Sequence, residues 1–390
     1  MNQTFYCITY FRSIYTLLFV FTLMLLPLSG CEPGEPETGL HLDEVYEEEA
    51  ALQAMKVGEI GDNAPLIGLP RSLALNSEGM LYISDFDNNE VHVVSAGGDS
   101  IDTLGRSGQG PGEFRNTSTI TVGPSDSLFV RDSQRISVFG PAPQHEFAYS
   151  FHLPSPYNGK TSGGVHKTLE GTLLASYSRP KNPNLDRDPG IWIMRVDRKE
   201  STPETIYQMP MDEIHVRVQN GHHQSVERPF GRKSFYTYTD TGVCYGWSDS
   251  LRVRCGDADG HDSLVVNVDH TALPATSSEI ASYRDIYGGD RLAMIEEAGF
   301  HDTHPAYEGF HVDTDGRIWI LEAVHKPDES LTLEEIQDVM VTWYRIDPVA
   351  ETYKTIELPA GQTIEAATGT HVYTTMAPVL PNVWIYRLDE

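Results

Sequence analysis

Two groups of residues in this chain stand at spacings that could do chemistry. The first is GRSGQGPGEFRN, residues 105–116, with four glycines and the flanking Arg106, Arg115 and Asn116. A phosphate-cradling loop of the Walker type closes on Gly-Lys-Ser/Thr, whereas this one closes on Gly-Glu-Phe. A dinucleotide fingerprint is followed by a helix, but STITV (118–122) alternates as a strand. With no helix dipole behind the glycines, and Glu113 among them, a phosphate would be repelled. The stretch reads as a tight structural crossing, with Phe114 packing between neighbouring units.

The second group is histidine-rich: His301 and His304 in HDTH, the pair His222–His223, and His166, Glu308 and His311. Imidazole and carboxylate sets hold zinc or calcium. Spacing fixes no three-ligand set here, so His166, Glu308 and His311 stand as candidates for a central metal, calcium or zinc. DFDNNE (85–90) and DADGHD (257–262) lack the EF-hand ligand pattern and fit inter-strand turns, where Asp, Asn and Gly are favoured for backbone reasons. No G-x-S-x-G elbow or other nucleophile signature is present. No catalytic residue and no required cofactor is therefore assigned, and a non-enzymatic role leads.

Such residues need elements to position them, and the chain supplies a repeat. NSEGMLYI (76–83) has a near twin in DTDGRIWI (313–320); GPSDSLFV (123–130) and TLEGTLLA (168–175) share the frame, and YTDTGVCY (238–245) and AATGTHVY (366–373) are looser copies. Each is a polar turn, keyed on Gly79, Asp126, Gly171, Gly242, Gly316 or Gly369, that joins two short alternating strands. Third strands follow in EVHVVS, RISVF, IWIMRV, VTWYRI and NVWIYRL, and fourth strands such as SLVVNV and YKTIEL. Six four-stranded antiparallel units predict an all-β, six-bladed β-propeller. The last unit runs out after three strands; QAMKVGEI (53–60) is placed to supply its fourth and close the ring.

In such blades the long connections 105–116, 178–190, 210–234, 269–306, 324–340 and 376–382 rise from one face. Long loops on a rigid scaffold are where ligands bind. Arg106, Arg115, Asn116 and Arg135 are the candidate ligand contacts on that face, or else salt-bridge partners between blades. Thr276–Glu279 and Thr332–Glu335 have capping-box spacing, which predicts short helical insertions. The stripe Ile280, Tyr283, Ile286, Tyr287 is expected to pack the first of them onto the propeller.

The N-terminus has a separate purpose. After Arg12, the apolar run Ile14–Leu28 is too short for a comfortable span and ends in LSGC, which resembles a bacterial lipobox. Residues 1–30 read as a lipoprotein signal peptide, Cys31 as the lipid attachment site, 31–52 as a flexible acidic tether, and 53–390 as the propeller. In that export context Cys244 and Cys255 can pair across a hairpin turning near Ser248–Ser250. With 56 acidic against 28 basic residues and a formal charge of −28, nucleic acid is an unsuitable partner, and membrane contact is left to the lipid.

GQGPGEFRN followed by DSLFVRDSQRISVF resembles the six-bladed, NHL-repeat-like β-propeller lipoproteins of Bacteroidota and related bacteria. The resemblance covers most of 53–390. It implies the propeller fold and a lipid-anchored place in the envelope, at the outer membrane, and it brings no general catalytic motif. The expected role is binding or scaffolding of an envelope protein, peptide or glycan through the loop-rich face. The alternative is a propeller lyase or lactonase with a hub metal.

Overall fold

The middle strands of each unit are buried on both sides, as stacked blades require. All five residues of Leu81–Asp85 are buried, as are the first five of Leu173–Arg179 and of Gly190–Val196, whereas the outer strand Phe147–His152 alternates half-buried and exposed. In this computed structural model, which describes residues 39–61, 67–182, 187–198, 202–219, 222–325, 336–376 and 380–389, those strands build a six-bladed β-propeller.

Blade 1 comprises Pro70–Leu75, Leu81–Asp85, Glu90–Val94 and Ser100–Leu104, and blade 2 Thr117–Gly123, Ser127–Asp132, Arg135–Phe139 and Phe147–His152. Blade 3 comprises Thr161–Lys167, Leu173–Arg179, Gly190–Val196 and Glu204–Met209, and blade 4 Ser234–Tyr238, Gly242–Trp247, Leu251–Asp257 and Asp262–Val268. Blade 5 comprises Tyr307–Val312, Ile318–Glu322, Met340–Asp347 and Thr352–Pro359. Blade 6 takes Thr363–Ala367, His371–Met376 and Leu380–Asp389 from the C-terminus and Gln53–Ile60 from the N-terminal side. The last pair runs antiparallel from Val383↔Ile60 to Asp389↔Gln53, so the ring closes with the strand the sequence offered for it.

The tight turns between first and second strands repeat one device. Asn76 accepts hydrogen bonds from the backbone N–H of Glu78 and Met80, and Asp313 does the same for Asp315 and Arg317. Gly79 and Gly316 follow at φ +78° and +83°, the left-handed region where only glycine is unstrained. A second device pins three of the crossings to their blades. Asp85, at the end of the second strand of blade 1, accepts from Gly68 and Leu69; Asp132 in blade 2 accepts from Arg115 and Asn116; Ser248 in blade 4 accepts from Lys233. Cys244 and Cys255 lie directly opposite on adjacent strands of blade 4 and are joined by a disulfide.

Three features differ from the sequence expectation. Residues 39–52, the described end of the expected tether, lie on the propeller. Gly39–Leu40 pairs with His270–Thr271, and Glu47–Glu48 adds a parallel fifth strand to blade 5. Leu42 and Tyr46 are buried in the blade 4–5 core, and Leu52 in the blade 5–6 core. Burying three large apolar side chains, at about 1.5–3 kcal/mol each, outweighs the polar composition that suggested a tether. Residues 210–234 contain a β-hairpin, Ile214–Gln219 with His222–Glu227. The first helix, α1 (Ser277–Ile286), has the predicted Thr276–Glu279 capping box, and α2 (Gly289–Ala298) follows the Gly288–Gly289 break. Its stripe does not rest on the blades: Ile286 is exposed, and Tyr283 packs edge-on to Phe230 and Phe300. The signal and lipobox residues, and the second capping-box pair Thr332–Glu335, lie outside the described residues.

Candidate functional site

The glycine-rich crossing is built to hold itself together. Gly105 sits at φ +82°, and a Cβ there would come within 2.2 Å of the Phe114 ring. Phe114 is fully buried among residues of blades 1 and 2. Glu113 receives the N–H groups of Gln109 and Gly110 and the guanidinium of Arg106. Arg135 reaches Asp132 at 2.7 Å and donates to the carbonyls of Gln109 and Glu113. Asn116 donates to the Ser133 hydroxyl. Arg106, Arg135 and Asn116 thus bond to the crossing or its blade, and Arg115 lends its backbone N–H to the same frame.

The metal candidates do not assemble. His166 lies on the inner strand of blade 3, stacked on Tyr238 of blade 4 at 5.5 Å. Glu308 and His311 share the inner strand of blade 5. Burial pushes both His166 and His311 down to about 4, which keeps them neutral. Among the described residues, two groups bring three donors within metal reach, and neither contains these residues. The residues present therefore do not fit a hub metal built on His166, Glu308 and His311. One of the two groups is Asp85, Glu90 and His92, at the rim of blade 1. Asp85 already accepts from five backbone or side-chain N–H groups besides the His92 ring, so its lone pairs are committed.

What the loop-rich face does form is a cleft of about 1030 Å³ over blades 4 and 5. Its floor is Phe235, Ser248, Pro305, Tyr307 and Glu308; its walls come from the 214–227 hairpin, the 228–233 loop and the two helices. The walls have a small core of their own, Val226, Met294 and Ile295, against which Tyr287 and Phe300 pack. Glu297 of α2 meets Arg217 and His215 of the hairpin at 3.3 and 3.2 Å, and Arg284 of α1 meets Glu296 of α2. Arg232, largely buried, donates to the carbonyls of Phe230 and Thr303 and so ties the loop to the segment entering blade 5. The lining combines aromatic faces (Tyr283, Tyr287) with Arg228, Lys233 and Arg291 and with Glu227, Asp290 and Glu308. Such a surface suits an amphipathic ligand.

Glu308 reaches the cleft because its strand is irregular. Pairing of blade 5's inner strand skips from Tyr307 to Gly309, and the same skip in blade 6, from Ile364 to Ala366, sets Glu365 apart. Bulges of this kind re-aim side chains, often beside functional sites. Burial pushes the Glu365 carboxyl from an ordinary 4.5 up to about 7, against a weak opposing hydrogen bond from Thr375. A raised carboxyl makes the fold bind a proton that the unfolded chain has released. Stability should therefore be complete below about pH 4.5, fall as pH rises to about 7, and stay level above. Because Glu365 is half-buried rather than sealed, the expected effect is about 1–2 kcal/mol. Glu365→Gln should flatten the profile in urea titrations across this range and exceed the parent's stability at pH 8.

The bulges, the hairpin and the cleft were not legible as a site. Alternation in Ile214, Val216 and Val218 signals a strand, but nothing local indicates what it roofs. His301 is drawn away from His304 by Glu213, to which it bonds, while His304 turns toward Glu279 and His325. His222 and His223 are exposed on the hairpin.

The chain matches no protein-family model and no curated protein by sequence. Solved structures similar to it include a member of the DUF4221 family from Bacteroides vulgatus (TM-score 0.49, 8% identity, 87% of this chain and 98% of that one). Others are a proposed exported protein from Bacteroides fragilis (0.47, 13%, 89% and 96%) and a gluconolactonase from Xanthomonas campestris (0.44, 11%, 88% and 97%). At these scores and identities the likeness carries no functional argument. The strand order and ring closure stand on their own: the chain is a six-bladed β-propeller with a capped cleft over blades 4 and 5.

Proposed function

We propose that this chain is a binding module of the bacterial envelope, held at the outer membrane by lipid on Cys31, which takes a peptide or glycan segment of a partner in the capped cleft. The observation that carries this reading is the cleft itself. Two insertions, in the 210–234 and 269–306 connections, meet over a closed scaffold, build a core of their own and leave about 1030 Å³ open between them. Aromatic faces beside both signs of charge can grip sugar rings or mixed side chains without one fixed geometry.

The full chain, applied to peptide and glycan arrays, should bind a restricted set of probes. Arg291→Glu, on an exposed turn of α2, and Glu308→Lys should each weaken those probes at least tenfold. Arg115→Ala, on the blade 1–2 crossing, should not. Probes held equally by all variants would contradict the assignment. The lyase or lactonase reading requires a hub metal, and the placement of His166, Glu308 and His311 gives it no support.

A further inference from the structure

We propose that Glu279, His304 and His325 form a binding site for one divalent transition-metal ion of the zinc class, which fastens the helical cap to blade 5. The three residues come from separate segments: Glu279 from the first turn of α1, His304 from the stretch leading into blade 5's inner strand, and His325 from just beyond its second strand. One ligand atom from each lies within 4.8 Å of the others. His304 Nε2 stands 3.0 Å from Glu279 Oε1, and His325 Nδ1 stands 3.2 Å from Oε2. Bonds of about 2.0–2.1 Å in a tetrahedral centre place neighbouring ligand atoms about 3.3 Å apart, close to the 3.0 Å between His304 Nε2 and Glu279 Oε1.

Burial supplies an independent observation. His304 is 1% exposed, yet neither of its ring nitrogens makes a hydrogen bond, and Glu279 Oε1 is likewise buried and unpartnered. Two such atoms facing each other at 3.0 Å without hydrogen-bond alignment are both satisfied by a cation between them. The other carboxylate oxygen, Oε2, is held by the Thr276 backbone N–H and hydroxyl at 2.8 and 2.7 Å, and in the metal-free protein it also pairs with His325 Nδ1 at 3.2 Å. The capping box thereby orients the free oxygen toward His304, as outer partners orient metal ligands elsewhere. Two imidazoles and one carboxylate suit zinc rather than calcium or magnesium, and the half-exposed His325 leaves the fourth position to water. The cleft reading needs no metal, so either proposal can fail alone.

The test uses the full chain without a polyhistidine tag, stripped with chelator and titrated with zinc and with cobalt. One equivalent should bind, and cobalt should give the visible bands of a tetrahedral site. His325→Ala, at an exposed position, and Glu279→Gln, which keeps a capping side chain, should each weaken zinc at least tenfold while leaving the metal-free thermal midpoint of His325→Ala unchanged. Zinc should slow proteolysis within 277–298 in the parent and not in the variants. No stoichiometric binding by the parent, or variants that bind as it does, would overturn the site. So would loss of binding in His92→Ala alone, because the metal would then sit at blade 1.

Discussion

Asp85→Ala is expected to lower stability by about 3–5 kcal/mol, the cost of removing one side of a buried charge network. Asp85 is fully buried and gathers the N–H groups of Gly68, Leu69, Asp87 and Asn88, the Asn88 amide and the His92 ring. Its removal leaves those donors unanswered at the point where the chain enters blade 1. Urea unfolding should show a lower midpoint with an unchanged slope. Asp126→Ala is the internal comparison: it also loses two hydrogen bonds, from Ser77, but at an exposed turn, and should cost about 1 kcal/mol or less. Burial opposes ionisation of Asp85, but His92 and the Gly68, Asn88 and Leu69 donors outweigh it and hold the carboxyl well below the usual carboxylate range. The contribution is thus present above about pH 4 and is lost as pH falls through the lowered value. An equal loss in the two variants would mean that the crossing is not pinned there.

Replacing residues 53–60 by a Gly-Ser stretch of the same length should abolish cooperative folding. That strand supplies the outer edge of blade 6, pairs along Val383–Asp389, and buries Ile60 beside Val383 and Ile385. Without it the ring has an open edge and two blade cores lose a wall. The loss exceeds about 5 kcal/mol, comparable with the whole stability of an ordinary domain. The variant should lose its unfolding transition and associate through the exposed strand, measured by circular dichroism and light scattering. Adding QAMKVGEI as a free peptide should partly restore the fold. A variant with the parent's melting midpoint would refute ring closure.

The blades were legible because their signals are local. The apolar Leu81, Tyr82 and Ile83, and a turn residue such as Asn76 with Gly79 behind it, fit within eight residues. The partner strand 53–60 was legible by counting, since one unit lacked a fourth strand. Residues 39–52 were misread because average composition hides Leu42 and Tyr46, buried by blades 4 and 5, and Leu52, buried by blades 5 and 6. The cleft and the Glu279–His304–His325 group depend on the meeting of connections far apart in the chain, and no spacing rule carries that. His304 was visible as a candidate, but its sequence neighbour His301 proved to be the wrong partner.

The central claim, that the capped cleft receives the ligand, is tested most directly by hydrogen exchange on the full chain with the tightest array probe bound. Protection is predicted in 214–233, in 277–298 and at Tyr307–Glu308, with none added at the opposite turns 76–79 and 313–316. Protection at those turns, with the cap exchanging as in the free protein, would contradict the account.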